Sequence, residues 1–515
     1  MKRLSMPMVT GCAAMLVCAA SLAHAGHGST NLTWQPCGVA AECTTISVPL
    51  DWNDPKGAQI TLAFARHRAT DPSRRLGVLF FMNGQGASAM DYVAARSGAD
   101  RFPSELVERF DIVGIDPRGG GVNPGGQVLD LPVASTRLNC QLNAHSAQAR
   151  YFPENRQEFE ALVAHNRQFA ASCGPLLGYM DAASHAQDVE AVRRALGEPR
   201  ISWLSWTTGS QVGLEYASRY PQRVRAMVLD QPAMVELPTR KYVLDHAAAV
   251  QDQFDRFVAW CERTERCIYH GQDLRAAFAA LIEQARAVPV PAVGPTAPPA
   301  DEGAPIDHPF TADELLFLAE QLLEIGDIEI VPGLTGFDAL AYGIFEASFG
   351  STSVLPGSYL YSIGWSGFWN PYRVRACLDL DIQVPNYAVF RTYERAARRV
   401  APDMRGISQA WDGFAGCIGW PESRHAGSRR LSYSRSLPPI LLVSSRHSAW
   451  APYEHARMLE RRLPGARLLT YEGDTHIVYL SSQCAVGWMV DYLVRGELPP
   501  RGTSCPQEGL LAGDD

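Results

Sequence analysis

The sequence lacks the features that most metal, nucleic-acid and membrane proteins need. It has no Cys-x-x-Cys pair and no Cys/His group with zinc-ligand spacing, so we expect no metal and no other cofactor. Charged residues make up only 19% of the 515 residues and the formal net charge is -8, whereas nucleic acid selects basic surfaces. After the first 25 residues, no apolar run is long enough to cross a bilayer. There is no internal repeat, and a hydrophobic content of 46% is typical of a globular protein.

The N-terminus has the pattern of a secretory signal peptide over residues 1–25. Two basic residues precede an apolar stretch that ends in the small-x-small cleavage pattern Ala23-His24-Ala25. Residues 9–12 resemble a lipoprotein cleavage box, but the apolar run before them is short, which favours simple export over a lipid anchor. Two of the 12 cysteines, Cys12 and Cys18, lie in this segment, which leaves 12 − 2 = 10 for the mature chain. An even number suits an oxidising compartment, so we expect a periplasmic or extracellular protein.

The mature chain alternates short apolar runs with helical patterns, which predicts a mostly parallel sheet with helices on both faces. This rhythm covers residues 40–235 and returns after residue 436. The strand-like segments are QITLAFARHRA, RLGVLFFMNG, RFDIVGIDPRG, ISWLSW, VRAMVLDQP, PPILLVSS and ARLLTYEGDTH.

Residues 236–435 interrupt this rhythm with patterns that are mainly helical. Such a length greatly exceeds the usual connection in an α/β protein, so it indicates an inserted domain. A helical cap over the carboxyl ends of the strands is the simplest placement. Within it, residues 287–309 are rich in Pro, Ala and Gly and are interpreted as an extended linker-like loop.

The segment LSWTTG, residues 204–209, predicts a sharp turn between a strand and a helix. A nucleophile elbow has the pattern small-x-nucleophile-x-small, because its apex is strained and the flanking small residues let strand and helix approach closely. With Thr207 at the apex, Ser205 and Gly209 occupy the small positions. An apex at residue 205 or 208 would put a tryptophan at a small position. Thr207 is therefore the candidate nucleophile, and no serine stands at the apex.

Several segments of the mature chain, in the same order, carry a family resemblance: CTTISVPLDWNDPKGAQITLAFARHRA, FDIVGIDPRGGG, DVEAVRRALGEPRISWLSW, YASRYPQRVRAMVLDQP, CIGWP, APYEHARMLERRLPGARLLTYEGDTH and DYLVRGELPPRGTSC. Through them, much of the mature chain resembles the secreted tripeptidyl aminopeptidases, which are α/β-hydrolases related to proline iminopeptidase. The resemblance implies an α/β-hydrolase core over residues 26–235 and 436–515, with a cap over 236–435. It also implies hydrolysis, through an acyl-enzyme, of an amide near a peptide's free amino end, with an acidic cap group holding the amine.

Spacing alone makes Cys37/Cys43 and Cys261/Cys267 natural disulfide partners without fixing the full pairing. The family resemblance implies five pairs: Cys37–Cys43, Cys140–Cys173, Cys261–Cys267, Cys377–Cys417 and Cys484–Cys505.

The same comparison with the family exposes departures around the site. The family has Gly-Gly-Pro-Gly where this chain has Asn83-Gly84-Gln85-Gly86. Gly84 keeps its place, so its N–H is one expected oxyanion donor, and the N–H of Thr208 is the other.

Besides the nucleophile, the predicted triad has an acid position and a histidine position. The family's Gly-x-x-Asp-Pro-x-x-Pro corresponds to residues 445–452, and Ser448 stands in the slot of the catalytic Asp. His476 keeps the place of the catalytic histidine. Loss of this carboxylate in another serine protease cost about 10⁴ in turnover. Asp230 and Asp474 are candidate substitute acids, although structural roles are commoner for both.

Three hypotheses follow. The first is a slowed hydrolase that uses Thr207 and His476. The second is a pseudo-hydrolase that binds a peptide or a small acyl ligand without turnover. The third is esterase or acyl-transferase chemistry on the same fold. His447 and His455 are interpreted as surface groups, and the sequence does not determine the oligomeric state.

Overall fold

The computed structural model describes residues 32–84, 87–94, 101–121, 131–144, 149–291, 309–326, 329–331, 333–350, 352–353, 366–421 and 431–508. The predicted signal peptide, the lipoprotein-like box, Gln85, Gly86 and most of the Pro/Ala/Gly-rich loop lie outside these residues. Among the described helices, none is both long and apolar enough to span a membrane.

The described strands and helices alternate as the sequence predicts. The strands are β1 (Gln35–Cys37), β2 (Ala41–Pro49), β3 (Gln59–His67), β4 (Gly77–Met82), β5 (Phe110–Ile115), β6 (Ile201–Trp206), β7 (Val224–Asp230), β8 (Glu329–Val331), β9 (Leu334–Thr335), β10 (Ile440–Ser445), β11 (Arg467–Tyr471) and β12 (Ser504–Cys505). The helices before the insertion are α1 (Ala89–Ala94), α2 (Ser104–Arg109), α3 (Arg156–Ser172), α4 (Ala182–Ala195) and α5 (Gly209–Arg219). Those that follow are α6 (Thr239–Arg263), α7 (Leu274–Ala287), α8 (Ala312–Ile325), α9 (Gly336–Ser348), α10 (Ser366–Asp379), α11 (Tyr387–Val400), α12 (Gln409–Gly416), α13 (Tyr453–Arg462) and α14 (Gln483–Arg495).

Ten strands form one sheet in the order β1-β2-β3-β5-β4-β6-β7-β10-β11-β12. Strands β1, β2 and β3 pair antiparallel, as does β3 with β5, and the pairs from β5 to β12 are parallel. The prediction of a mostly parallel α/β sheet is confirmed. Every residue of β4 after Gly77, and every residue of β5, β6 and β10, is buried, because helices cover both faces and leave no solvent-facing side.

Two hydrophobic clusters lie on the two sides of the sheet. One holds α1, α2 and α14; the other holds α4, α5 and α13 and continues into the helices of residues 239–416. The inserted helices therefore share a core with one face of the sheet. Helix α8 begins with a capping box between Thr311 and Glu314 and ends at Gly326, whose φ is +66°.

Five disulfides join Cys37–Cys43, Cys140–Cys173, Cys261–Cys267, Cys377–Cys417 and Cys484–Cys505. These are the pairs that the family resemblance implies. Cys484–Cys505 ties β12, at the sheet edge, to α14.

Candidate active site

Thr207 follows the last residue of β6 and precedes α5 in a left-handed backbone conformation, with φ of +45°. A β-branched residue adopts this conformation only when its surroundings impose it, at a cost of about 1–3 kcal/mol. The Thr207 N–H donates to Asp230 O at 2.8 Å, which holds the turn to the end of β7. A Cβ on Gly209 would lie 2.8 Å from Met82 O, so a small residue is needed there. These are the features of a nucleophile elbow with Thr207 at its apex.

Gly84 lies directly beside the hydroxyl of Thr207. A Cβ built on Gly84 would lie 1.8 Å from Thr207 Oγ1, a separation that real side chains do not show. The Gly84 N–H donates to Asn83 Oδ1 at 2.8 Å. One predicted oxyanion donor therefore adjoins the hydroxyl but is held by a neighbouring side chain. The other, Thr208, begins α5 as its N-cap.

We name residues 446–452 the acid loop and residues 472–478 the histidine loop. They follow β10 and β11, which are adjacent parallel strands, so both loops leave the same edge of the sheet. Ser445 Oγ donates to Gly473 O, and Arg446 forms an ion pair with Glu472. These contacts hold the two loops together next to the elbow edge of the sheet.

His476 lies in the histidine loop with its ring packed on Trp450 of the acid loop. The ring centroids are 4.8 Å apart and the planes are inclined by 43°. Within the described part of the chain, the imidazole makes no hydrogen bond to Thr207, to Ser448 or to any carboxylate. Burial lowers the pKa of His476 to about 4, since the charged imidazolium gains no partner there.

This environment predicts an unusual pH profile. The neutral base is present above pH 4 and is lost as the pH falls through that value, so kcat/KM is expected to decline near pH 4 instead of near the ordinary histidine pKa of about 6.5. Hydrolysis of an ester reporter between pH 3 and 8 measures this. An acidic limb near pH 6.5 or above would contradict the prediction and would mean that a carboxylate pairs with His476 during turnover.

Neither predicted substitute acid contacts His476 in the structure. The Asp230 carboxylate accepts the N–H groups of Val478 (3.2 Å) and Tyr479 (2.8 Å), and burial raises its pKa to about 7. The Asp474 carboxylate forms a two-pronged ion pair with Arg256, at 2.6 and 2.7 Å. Asp230 thus supports the end of the histidine loop, and Asp474 joins that loop to helix α6.

A carboxylate that the sequence analysis missed does reach the acid loop. Glu324, in the last turn of α8, accepts the Ser448 hydroxyl through Oε1 at 2.8 Å. Its Oε2 accepts the N–H groups of Ala449 at 2.8 Å and Trp450 at 3.2 Å. No local signal marks Glu324, because it lies 124 positions before Ser448 and meets it only through the packing of α8 on the acid loop.

One turn earlier on α8, Glu320 is fully buried on the same side of the helix. Among the described residues, neither its Oε1 atom nor the Trp450 indole nitrogen has a hydrogen-bond partner. Burial raises the pKa of Glu320 to about 8, against smaller opposing effects of the Gln321 and Trp450 side chains. Glu320 and Glu324 thus place two buried carboxyl groups near the tryptophan that packs on His476.

The interpretation of His455 as a surface group is wrong. Its side chain is fully buried, with Nε2 3.1 Å from Asp245 Oδ2, and its Nδ1 accepts the Met234 N–H at 3.2 Å. His447 contacts Asp252 and is only partly exposed. Over the described ranges, no group of three or more His, Cys, Asp or Glu residues is arranged to hold a metal ion.

Comparisons with known proteins agree with this architecture. A model of the α/β hydrolase fold matches residues 95–282, and a model of TAP-like proteins matches residues 404–505. The serine protease Hip1 of Mycobacterium tuberculosis is 27% identical over 92% of this chain and 90% of its own length. A tripeptidyl aminopeptidase of Streptomyces lividans is 25% identical over 94% and 88%. Carboxylesterase B of Mycobacterium tuberculosis is 27% identical over 90% and 86%.

The two family models together cover the elbow strand, part of the inserted helices and both loops of the site, and the relatives extend over most of the chain. The sheet order and the left-handed apex at residue 207 belong to the same architecture. The chain has the α/β-hydrolase fold, and its carboxy-terminal segment is similar to TAP-like proteins.

Proposed function

We propose that this protein is an exported hydrolase that releases short peptides or residues from the amino ends of peptides, with Thr207 as a slow nucleophile. The observation that carries the proposal is the strained conformation of Thr207 at the end of β6, with its hydroxyl beside Gly84. Backbone strain of this kind is retained where it positions a reacting group. Export is supported by the five disulfides and by the sequence pattern of residues 1–25.

The reaction proceeds through an acyl-threonine. The Thr207 hydroxyl attacks the scissile carbonyl carbon while His476 accepts its proton. The N–H groups of Gly84 and Thr208 stabilise the oxyanion, after the Asn83 side chain releases Gly84. The C–N bond then breaks, and His476 returns the proton to the leaving amine. Water repeats the sequence on the acyl-threonine and frees the enzyme.

Two features make this reaction slow. An imidazole with a pKa near 4 is a weak base toward a hydroxyl group, and the Thr207 methyl group adds bulk at a strained apex. Ser448 contributes a hydroxyl where the family has a charge, so nothing on the acid loop compensates an imidazolium.

The cap supplies an acidic group suited to a free amino end. Glu320 has a buried, unpartnered carboxyl oxygen near Trp450, whose ring packs on His476. A substrate ammonium group beside it would satisfy that oxygen and favour its ionised form. Glu320 is therefore the group we assign to the substrate amine.

Glu320→Gln keeps the shape of the side chain but removes the charge. We expect it to raise KM for a peptide with a free amino end by about tenfold, equivalent to about 1.4 kcal/mol. The same peptide acetylated at its amino end is the matched control, and its KM should not change. The Glu320→Gln variant should therefore lose the preference for the free peptide over the acetylated one. Equal effects on the two substrates would contradict the assignment of Glu320.

Ester hydrolysis is the second candidate reaction, and the carboxylesterase relative is the observation that favours it. An activated ester has a better leaving group than an amide and needs less proton donation from the histidine. A binding protein without turnover is the remaining alternative.

A fluorophosphonate probe tests the proposed function most directly. The probe phosphonylates an activated hydroxyl, so mass analysis should find it on the peptide that contains Thr207. Tripeptidyl amide and simple ester reporters, assayed in parallel, separate peptidase from esterase activity. Absence of labelling together with absence of turnover on both reporters would favour the binding-protein alternative.

A further inference from the structure

The acid loop contains no carboxylate of its own. Residues 444–452 read Ser-Ser-Arg-His-Ser-Ala-Trp-Ala-Pro, and the acid slot holds Ser448. In this structure the Ser448 side chain is almost fully buried and its Oγ also accepts the Ala451 N–H at 3.2 Å. The loop is thus closely packed around a position that lacks the family's negative charge.

Glu324 brings a carboxylate to that position from the cap. It receives three hydrogen bonds from consecutive acid-loop residues, and only 1% of the residue is exposed. Backbone N–H groups and a hydroxyl that converge on one carboxylate form a specific binding site for it, because each of these buried donors would otherwise lack a partner.

One contact route leads from this carboxyl group to His476 in the structure, through Trp450, and the family's sequence pattern indicates a second, through Ser448. The backbone N–H of Trp450 donates a hydrogen bond to Glu324, and the indole ring of the same residue packs on the imidazole of His476. Ser448, whose hydroxyl donates to Glu324, occupies the slot from which the family's acid contacts the histidine. The Ser448 oxygen donates its O–H to Glu324 and accepts the Ala451 N–H, which leaves one lone pair to accept an imidazole N–H.

We propose that Glu324 is a positioning residue that replaces the missing acid-loop carboxylate, holding Ser448 and Trp450 from the cap and through them orienting His476. The inference rests on the proposed function in taking His476 as the base. If Glu324 has this role, the carboxyl group that the family carries on the acid loop is supplied here by α8. The packing of α8 on the acid loop then completes the site.

Burial raises the pKa of Glu324 well above its usual range, and the hydrogen bonds from the acid loop oppose this shift. Glu324→Gln replaces one of the two accepting carboxyl oxygens with an amide NH2 group, which faces the three donors of the acid loop. We expect kcat to fall by about 10²-fold, less than the roughly 10⁴-fold loss when an acid in direct contact is replaced, because Glu324 acts through intermediate groups. The matched control is Glu394→Gln, since Glu394 is another nearly fully buried cap carboxylate, paired with Arg391 and Arg398. We expect its kcat to change by less than about threefold, within the range of ordinary substitutions.

A charge relocation provides the sharper test. Ser448→Asp alone sets two carboxyl groups against each other, because Ser448 Oγ and Glu324 Oε1 are 2.8 Å apart, and should lower stability. The double variant Ser448→Asp/Glu324→Gln returns the carboxylate to the loop and should regain at least the wild-type kcat. If Glu324 only anchored α8 on the acid loop, Glu324→Gln would lower the thermal unfolding temperature but leave kcat of the folded protein unchanged.

Ring signals of His476 in NMR spectra of histidine-labelled protein, assigned with His476→Gln, give a readout that needs no turnover. We expect Glu324→Gln to change these signals and Glu394→Gln to leave them unchanged. A folded Glu324→Gln variant with wild-type His476 signals overturns the inference, whatever its activity. Glu324→Asp keeps a carboxyl group on a shorter side chain. It replaces the glutamine variant if that variant does not fold, and it should show a smaller loss of kcat.

A wild-type protein that neither reacts with the fluorophosphonate probe nor hydrolyses the reporters would overturn the proposed function. The NMR comparison would still decide whether Glu324 positions His476. The two failures are therefore distinguishable.

Discussion

Thr207→Ala is expected to reduce kcat/KM on ester and peptide reporters by at least about 10³-fold and to abolish fluorophosphonate labelling. The variant removes the attacking oxygen, and the catalysis that remains in such variants comes from binding and the oxyanion donors alone. Thr207→Ser should act in the opposite direction. It keeps the hydroxyl, removes the methyl group from a backbone with φ of +45°, and should raise kcat about tenfold, or about 1.4 kcal/mol.

Ser205→Ala is the matched control for the nucleophile. Ser205 is the other hydroxyl of the elbow segment, but it is fully buried and its Oγ lies 3.2 Å from Ser210 Oγ. Its removal should leave labelling at Thr207 intact. Turnover that survives Thr207→Ala but not Ser205→Ala would show that the nucleophile has been assigned to the wrong hydroxyl.

Gly84→Ala is expected to lower kcat/KM by about 10²–10³-fold without unfolding the protein, the loss expected for one oxyanion donor. The added methyl carbon would lie 1.8 Å from Thr207 Oγ1 and 3.2 Å from Thr207 Cβ. The hydroxyl must therefore turn away or the loop must withdraw, and either movement separates the nucleophile from the Gly84 N–H.

Gly487→Ala provides the control for the substitution itself. Gly487 is exposed on α14, and a Cβ there would meet no atom within 4 Å. This variant should keep full activity and gain stability, since alanine favours a helix over glycine by about 1 kcal/mol. Thermal unfolding of both variants separates misfolding from loss of catalysis. Wild-type rates from a folded Gly84→Ala variant would contradict the geometry proposed for the oxyanion donors.

The cap-borne carboxylate alters how the loss of the family's Asp should be interpreted. Ser448 by itself indicates a damaged triad, since a hydroxyl brings no charge to the imidazole. In the structure, Glu324 accepts hydrogen bonds from that hydroxyl and from the Ala449 N–H, and these bonds join α8 to the acid loop. The Glu324 and Ser448 variants together therefore decide whether the site has decayed or has been rebuilt across the cap.

The sequence by itself predicted the parts of this protein that depend on local rules. Alternating apolar runs located the sheet strands, because each buried strand must show such a run. The sizes of Ser205, Thr207 and Gly209 placed the elbow, because only one register puts small residues on both sides of the apex. The family resemblance supplied the disulfide pairs and the place of His476, which spacing alone left open.

Only the tertiary structure decided what surrounds these residues. Asp230 and Asp474 were both candidate substitute acids in the sequence. In the structure the Asp230 carboxylate accepts backbone N–H groups, and the Asp474 carboxylate pairs with Arg256. Glu324 carried no signal, because its partners come from a loop more than a hundred residues away and helical periodicity does not encode which helix a loop will meet. Contacts of this kind arise when a cap packs on a core, and a one-dimensional pattern specifies the surfaces that pack but not the pairs of atoms that touch.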